Sequence, residues 1–332
     1  SDEQKRHIIP SEKQHQRLRG AAGSGKTLVI AQRAANLASI GKKILVVTYN
    51  ITLWHHIRDN ISRARYDFNW EQFEFNHFHG FCKNYLYEND IRFPNSENIE
   101  SSDYLDNKIP ELIMESMRNK RNKKERYYDA ILIDEGQDYS KKYYEMLCMF
   151  LTENDEMFLV ADEKQNIYSR ELSWLENMQG TKFRGRWREL KQSYRLPFII
   201  LKQANKFAEK FLPDVGLIPE PIQSGLFEPH FVWRNIDSTL PLEKLLKAFE
   251  WLTRKQNISP SDIVILLPTH KDGLQVKKYF QDKNIKVNDV FEQEKGDKKN
   301  KYSFWMGDSR LKMSTIHSFK GWELLNIILV TP

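Results

Sequence analysis

The sequence predicts an α/β protein made of two doubly wound parallel sheets. Three observations predict it. Short apolar runs without period-two alternation, among them 43–48 (KILVVT), 130–134 (AILID) and 262–267 (DIVILL), read as strands buried on both faces. Helix-length segments separate these runs, as the crossovers of a parallel sheet demand. Gly20-Ala21-Ala22-Gly23-Ser24-Gly25-Lys26-Thr27 fits G-x-x-x-x-G-K-[ST] at every fixed position, between a strand-like segment and a helical one.

The elements follow in order. Residues 16–19 make the strand before the glycine-rich loop, although Arg17 and Arg19 are polar for a central strand. A helix is expected over 27–39, a strand over 43–48, a helix over 51–61 and a short strand over 73–78. Residues 83–126 are polar and irregular and read as a small insertion. Its basic run, Arg118 to Arg126, is a solvated face or a phosphate-contacting surface. Strands at 130–134 and 157–161 (MFLVA) flank a helix at 141–151. This first domain spans 1–192.

The alternation restarts after Leu196-Pro197, giving a second domain over 193–332. Helices are expected at 198–211, 242–254 and 272–280. Strands are expected at 230–233, 262–267, 285–287 and 327–330. Residues 217–227 read as a Pro/Gly linker and 292–301 as a charged loop.

With 332 residues and 40% hydrophobic content the chain can build two ordinary cores. Lys+Arg 51 against Asp+Glu 45 leaves a net charge of +6, a mixed surface with a mild leaning toward polyanions. Cys82 and Cys148 cannot form a disulfide framework, which points to a reducing, cytoplasmic compartment. No apolar run approaches membrane-spanning length, so no membrane partner is expected.

The glycines of Gly20 to Gly25 let backbone N–H groups converge on an anion at the start of a helix. Lys26 adds a mobile cation for the outer phosphates, and the Thr27 hydroxyl suits Mg²⁺. Asp134, at the tip of the 130–134 strand, would hold the same ion. Glu135 would polarise a water for attack on the terminal phosphate. His77, His79 and Cys82 lack the fourth ligand of a zinc site.

Asp134-Glu135-Gly136-Gln137-Asp138 resembles the DExQD motif of UvrD/Rep-like superfamily 1 helicases and translocases. Ala161 to Tyr168 (ADEKQNIY) resembles the family's GDxxQSIY, with Ala161 at the usual glycine. Gln192 to Arg195 (QSYR) is similar to its QNYR. Ser314 to Glu323 (STIHSFKGWE) is similar to T-x-H-x-x-K-G-x-E. Weaker likenesses are Val47 to Asn50 (VTYN) and Asn76 to Phe81 (NHFHGF).

The resemblance implies two RecA-like domains with an ATP cleft between them, ATP and Mg²⁺ as cofactors, and 3′-to-5′ movement on single-stranded nucleic acid, DNA before RNA. A protein partner such as a nuclease is also implied. Gln4 would read adenine, Tyr194 would stack on it, and Gln165 would sense the γ-phosphate. Arg195 would act as an arginine finger, with Gly321 and Glu323 lining the nucleotide. Tyr49, Phe78, His79, Tyr168, Thr315 and His317 would line the nucleic-acid track. Arg170 replaces an expected aromatic, which leaves Trp174 or the Arg170 plane as the stacking group. The family's last arginine motif is not visible after 327–330, so the second domain is expected to be incomplete at its C-terminus. Two other readings stay open: an ATP switch that senses nucleic acid without unwinding it, and a small-molecule kinase. Glu135 argues against the kinase, because it serves water rather than a substrate hydroxyl.

Overall fold

The computed structural model describes residues 2–10, 13–20, 23–92, 104–119, 127–162, 178–191, 197–211, 230–236, 240–292 and 299–331. The chain forms two compact units, Ser1–Tyr49 with Ile57–Phe231, and Asn50–His56 with Val232–Pro332. In this division the chain passes between the units at 231/232; the boundary expected at 192/193 lies outside the described residues. Residues 50–56 also belong to the second unit, which no feature of their sequence announces.

The first unit is built on six parallel strands in the order β3-β2-β4-β5-β1-β6. These are β1 (His15–Gly20), β2 (Ile44–Thr48), β3 (Phe73–His77), β4 (Tyr128–Ile133), β5 (Leu151–Ala161) and β6 (Arg188–Leu190). Successive side chains of the inner strands enter opposite cores, as a period of two requires. Ile44, Val46, Leu132, Phe158 and Val160 pack against helix α2 (Lys26–Ser39). Leu45, Val47, Ile131, Ile133 and Leu159 pack on the other face, against α4 (Phe78–Glu88) and α6 (Lys141–Cys148). Both faces are apolar, so these strands read as unbroken hydrophobic runs.

The polar strand β1 now has a physical account. Among the described residues its outer side meets the three-residue edge strand β6 at Leu18 to Gly20 and a single bridge from His15 to Phe183. Leu18 enters the α2 core, while the arginines find partners on the opposite face. Arg17 donates to the Gly185 carbonyl at 2.6 Å and lies over the Trp187 ring, and Arg19 pairs with Glu189. The segment expected as an insertion at 83–126 contributes to the core where it is described. Tyr85 and Leu86 of α4, with Ile109, Ile113 and Met114 of α5 (Ile109–Asn119), are buried members of the main core. Their apolar residues follow helical spacing within polar sequence, which hid them. Most of the basic run 118–126 lies outside the described residues.

The second unit holds four parallel strands in the order β10-β7-β9-β8. They are β7 (Ile263–Leu267), β8 (Val287–Asp289), β9 (Leu311–Thr315) and β10 (Asn326–Leu329). β7 is buried throughout. β9 was not expected, because Lys312 and Ser314 break its apolar pattern. Lys312 is nevertheless fully buried, its ammonium donating to the carbonyls of Ser261 and Asp308. β8 starts two residues later than expected. Residues 230–233 form no strand: Phe231, Val232 and Trp233 are exposed on irregular backbone. Part of the expected 292–301 loop is instead the helix Lys299–Ser303, tied back by Asn300 to the Phe291 carbonyl. The expected linker at 217–227 lies outside the described residues.

Candidate nucleotide site and its neighbours

The C-terminal ends of parallel strands and the N-termini of the helices that follow them create the site. β1 ends at Gly20 and α2 begins at Lys26. Between them Gly25 adopts φ +87°, and a Cβ there would run into the Gln4 amide. Only glycine serves at this position. Ser24 is fully buried, and its hydroxyl has no partner among the described residues. A buried orphan hydroxyl inside a glycine cradle at a helix N-terminus fits a phosphate group. Ala21 and Ala22 lie outside the described residues; Gly23 has φ +77°.

Lys26 is buried, and its ammonium donates to the Gly20 carbonyl at 2.8 Å and to Asp162 at 3.1 Å. Thr27 donates its hydroxyl proton to Asp134 at 3.2 Å. Thr27 and Asp134 are therefore the oxygens that would hold Mg²⁺. Gln4, on helix α1 (Asp2–Ile8), donates to the Ser24 carbonyl at 2.9 Å.

β4 ends in the acids. Asp134 is wholly buried, and its pKa is pushed up to about 7 by burial first and by the Glu135 charge second; Lys26 and the Thr27 hydrogen bond act the other way. Glu135 stands in the left-handed region, φ 57° and ψ 48°. That backbone costs of order 1–3 kcal/mol for a residue with a side chain. Its neighbours hold it there. Gln137 donates to the Glu135 carboxylate and accepts the Asp162 backbone N–H at 2.9 Å. Gly136 packs so tightly on Leu159 that a Cβ would be 2.6 Å from it. Gln137 and Asp162 were not singled out as site residues, although both lie inside motifs that were.

The raised Asp134 pKa has a sign. The folded chain keeps a proton that the unfolded chain has lost, so between about pH 4 and 7 stability falls as pH rises. A divalent cation favours the ionised carboxylate. Mg²⁺-nucleotide affinity should therefore climb through about pH 7, with proton release on binding at pH 6. Calorimetry in buffers of different ionisation enthalpy reads that proton, with Asp134→Asn as the control. Equal buffer dependence in parent and variant would exclude Asp134 as its source.

Gln165, Tyr168, Arg170, Trp174, Tyr194 and Arg195 lie outside the described residues. Tyr49 and His79 come together, ring centroids 5.7 Å apart, and both are half-buried. Phe78 lies edge-on to His79, ring centroids 5.5 Å apart. It is fully buried and stacked 3.8 Å from Tyr143, so its faces belong to the core. Cys82 is buried beside Met146, and burial pushes its thiol pKa up.

In the second unit, β9 delivers the 314–323 segment. His317 is exposed, and Glu323 is half-buried. Thr315 is buried, and its hydroxyl accepts the Ser318 N–H, capping the short turn. Gly321 has φ +83°, and a Cβ there would lie 2.7 Å from Leu53. Asn50 donates to the carbonyls of Ser318 and Lys320 at 3.0 and 3.1 Å. Trp322 donates to the Thr52 hydroxyl at 2.6 Å. These anchors were missed, because a single Asn or Thr in a loop carries no spacing signal.

A family model described as an AAA domain matches residues 4–171. A search of the curated proteins found no match.

Proposed function

The chain belongs to this AAA-domain family of P-loop NTPases, and on that footing we propose that it is a nucleic-acid-dependent ATPase of the UvrD/Rep-like superfamily 1 kind, moving along a single strand. One observation carries the hydrolytic part. Glu135, held in a strained backbone by Gln137, directly follows the Asp134 that meets Thr27 of the phosphate loop. Placing a carboxylate beside the terminal phosphate serves water attack.

The chain's own groups divide the work. The 20–25 loop cradles the phosphates. Lys26 turns from Asp162 to the outer phosphate oxygens. Mg²⁺ on Thr27 and Asp134 would neutralise charge developing there. As the bond from water oxygen to phosphorus forms and the bond to the leaving diphosphate oxygen breaks, Glu135 takes the water's proton. Gln165, Tyr194 and Arg195 are assigned to the terminal phosphate and the base by motif alone. Tyr49, His79 and the exposed His317 are assigned to the strand, with a net charge of +6 in support.

The test is steady-state ATPase with single-stranded DNA, single-stranded RNA and duplex in parallel. Single strands should stimulate turnover and duplex should not. A base–aromatic stack is worth about 1–3 kcal/mol, so Tyr49→Ala should weaken single-strand binding about tenfold, and binding should fall steeply with salt. Turnover indifferent to all three nucleic acids would defeat the proposal. Stimulation without strand displacement would convert it to a stationary switch.

A further inference from the structure

The phosphate loop is touched from outside by helix α1, and α1 is itself held by one buried arginine. α1 has only seven residues, too few to be stable alone, so its position is set by what grips it. Gln4 near its start reaches the Ser24 carbonyl and lies against Gly25. Its end is gripped by Arg33, midway along α2 and fully buried. Arg33 Nη1 donates to the carbonyls of His7 and Ile9, both at 2.9 Å. Nε and Nη2 donate to Glu156 of β5 at 2.9 and 2.6 Å. The guanidinium also lies over the Phe158 ring, 4.6 Å from its centroid. Asn36, one turn further along α2, adds a bond to the Ile8 carbonyl.

A buried ion pair is a poor device for stability, because desolvation offsets the attraction and well-packed apolar residues do as well. What a guanidinium supplies is a rigid fork of donors with fixed directions. Here the fork ties the end of α1 to β5 through Glu156. Among the described residues it makes no hydrogen bond to Gly20 or to Gly23 through Thr27. We propose that Arg33 is a positioning residue for base recognition: through α1 it sets Gln4 over the loop, so nucleotide choice depends on the Arg33–Glu156 pair and phosphate binding does not. This rests on the reading of Gln4 as the adenine-facing residue.

The experiment measures affinities of the intact chain for Mg²⁺-ATP, Mg²⁺-GTP and Mg²⁺-tripolyphosphate. The principal variant is Arg33→Met with Glu156→Met, which removes both buried charges together at similar volume; Arg33→Lys keeps the charge but loses the fork. In the double variant ATP affinity should fall about tenfold, the worth of one or two hydrogen bonds, toward that of GTP. Tripolyphosphate affinity should stay within about twofold. Arg33→Lys should fall between. Gln4→Ala should reproduce the loss, and adding it to the double variant should cost nothing more, since both changes act through one contact. An unchanged ATP/GTP ratio in the double variant, or an equal loss of tripolyphosphate, overturns the proposal. A parent that binds tripolyphosphate but ignores the base overturns the reading of Gln4 itself. A parent that binds none of the three overturns the nucleotide assignment.

Discussion

Glu135→Gln should bind Mg²⁺-ATP as the parent does and turn it over about 10²- to 10⁴-fold more slowly, the usual contribution of a positioned general base. The replacement is chosen for what it preserves. Glutamine has the same length, tolerates the same backbone, and offers an oxygen to the Gln137 amide that now bonds the carboxylate. Only basicity is lost. Steady-state turnover at saturating nucleotide, beside a binding isotherm, makes the check. Parental turnover would remove Glu135 from the chemistry. The strained backbone offers an independent control. Glycine adopts φ near 57° without cost, whereas a residue with a Cβ is penalised by about 1–2 kcal/mol. Glu135→Gly should therefore be inactive yet unfold at higher denaturant than the parent. A variant both inactive and less stable would mean that the Gln137 contact outweighs the strain.

How far the sequence could be read depended on what each residue's surroundings had to be. β2, β4 and β7 were legible because both faces are buried, which demands apolar residues along most of their length. The phosphate loop was legible because its backbone admits glycine and little else at positions such as Gly25. β9 was hidden by Lys312, whose burial is tolerated only because two carbonyls, distant or irregular in sequence, meet its ammonium. The run at 230–233 failed in the opposite way: apolar residues stand exposed, so composition pointed to a strand where no sheet receives one. Motifs located the Tyr49 and Phe78 segments equally well. They could not say that Phe78 is sealed against Tyr143 while Tyr49 stays half-open, because that is decided by the helices packed beneath them. Arg33 and Glu156 carry no motif at all; their partnership joins a helix and a strand far apart in sequence, and only the fold brings them together.

Lys26→Ala should show two losses of different origin. The first is nucleotide binding. Removing a buried cation that meets phosphate costs about 2–5 kcal/mol, so Mg²⁺-ATP affinity should fall at least about 30-fold. The second loss appears without nucleotide. The Lys26 ammonium pairs with Asp162 inside the site, both side chains being almost wholly buried. It also restrains the rise in the Asp134 pKa. Taking away one partner of a buried pair leaves an uncompensated charge and costs about 3–5 kcal/mol when that charge is ionised. With the cation gone, the folded-state pKa of Asp134 moves further above its unfolded value. The folded chain then holds its proton to higher pH, and stability falls as pH rises through that window. Lys26→Ala should thus be closer to the parent at pH 5 than at pH 8. Denaturant unfolding of the nucleotide-free chains at the two pH values measures the difference. An equal deficit at both would show that the alanine acts through lost packing alone. Parental ATP affinity in the variant would show that Lys26 does not reach the phosphates and that its bonds to Gly20 and Asp162 are its whole role.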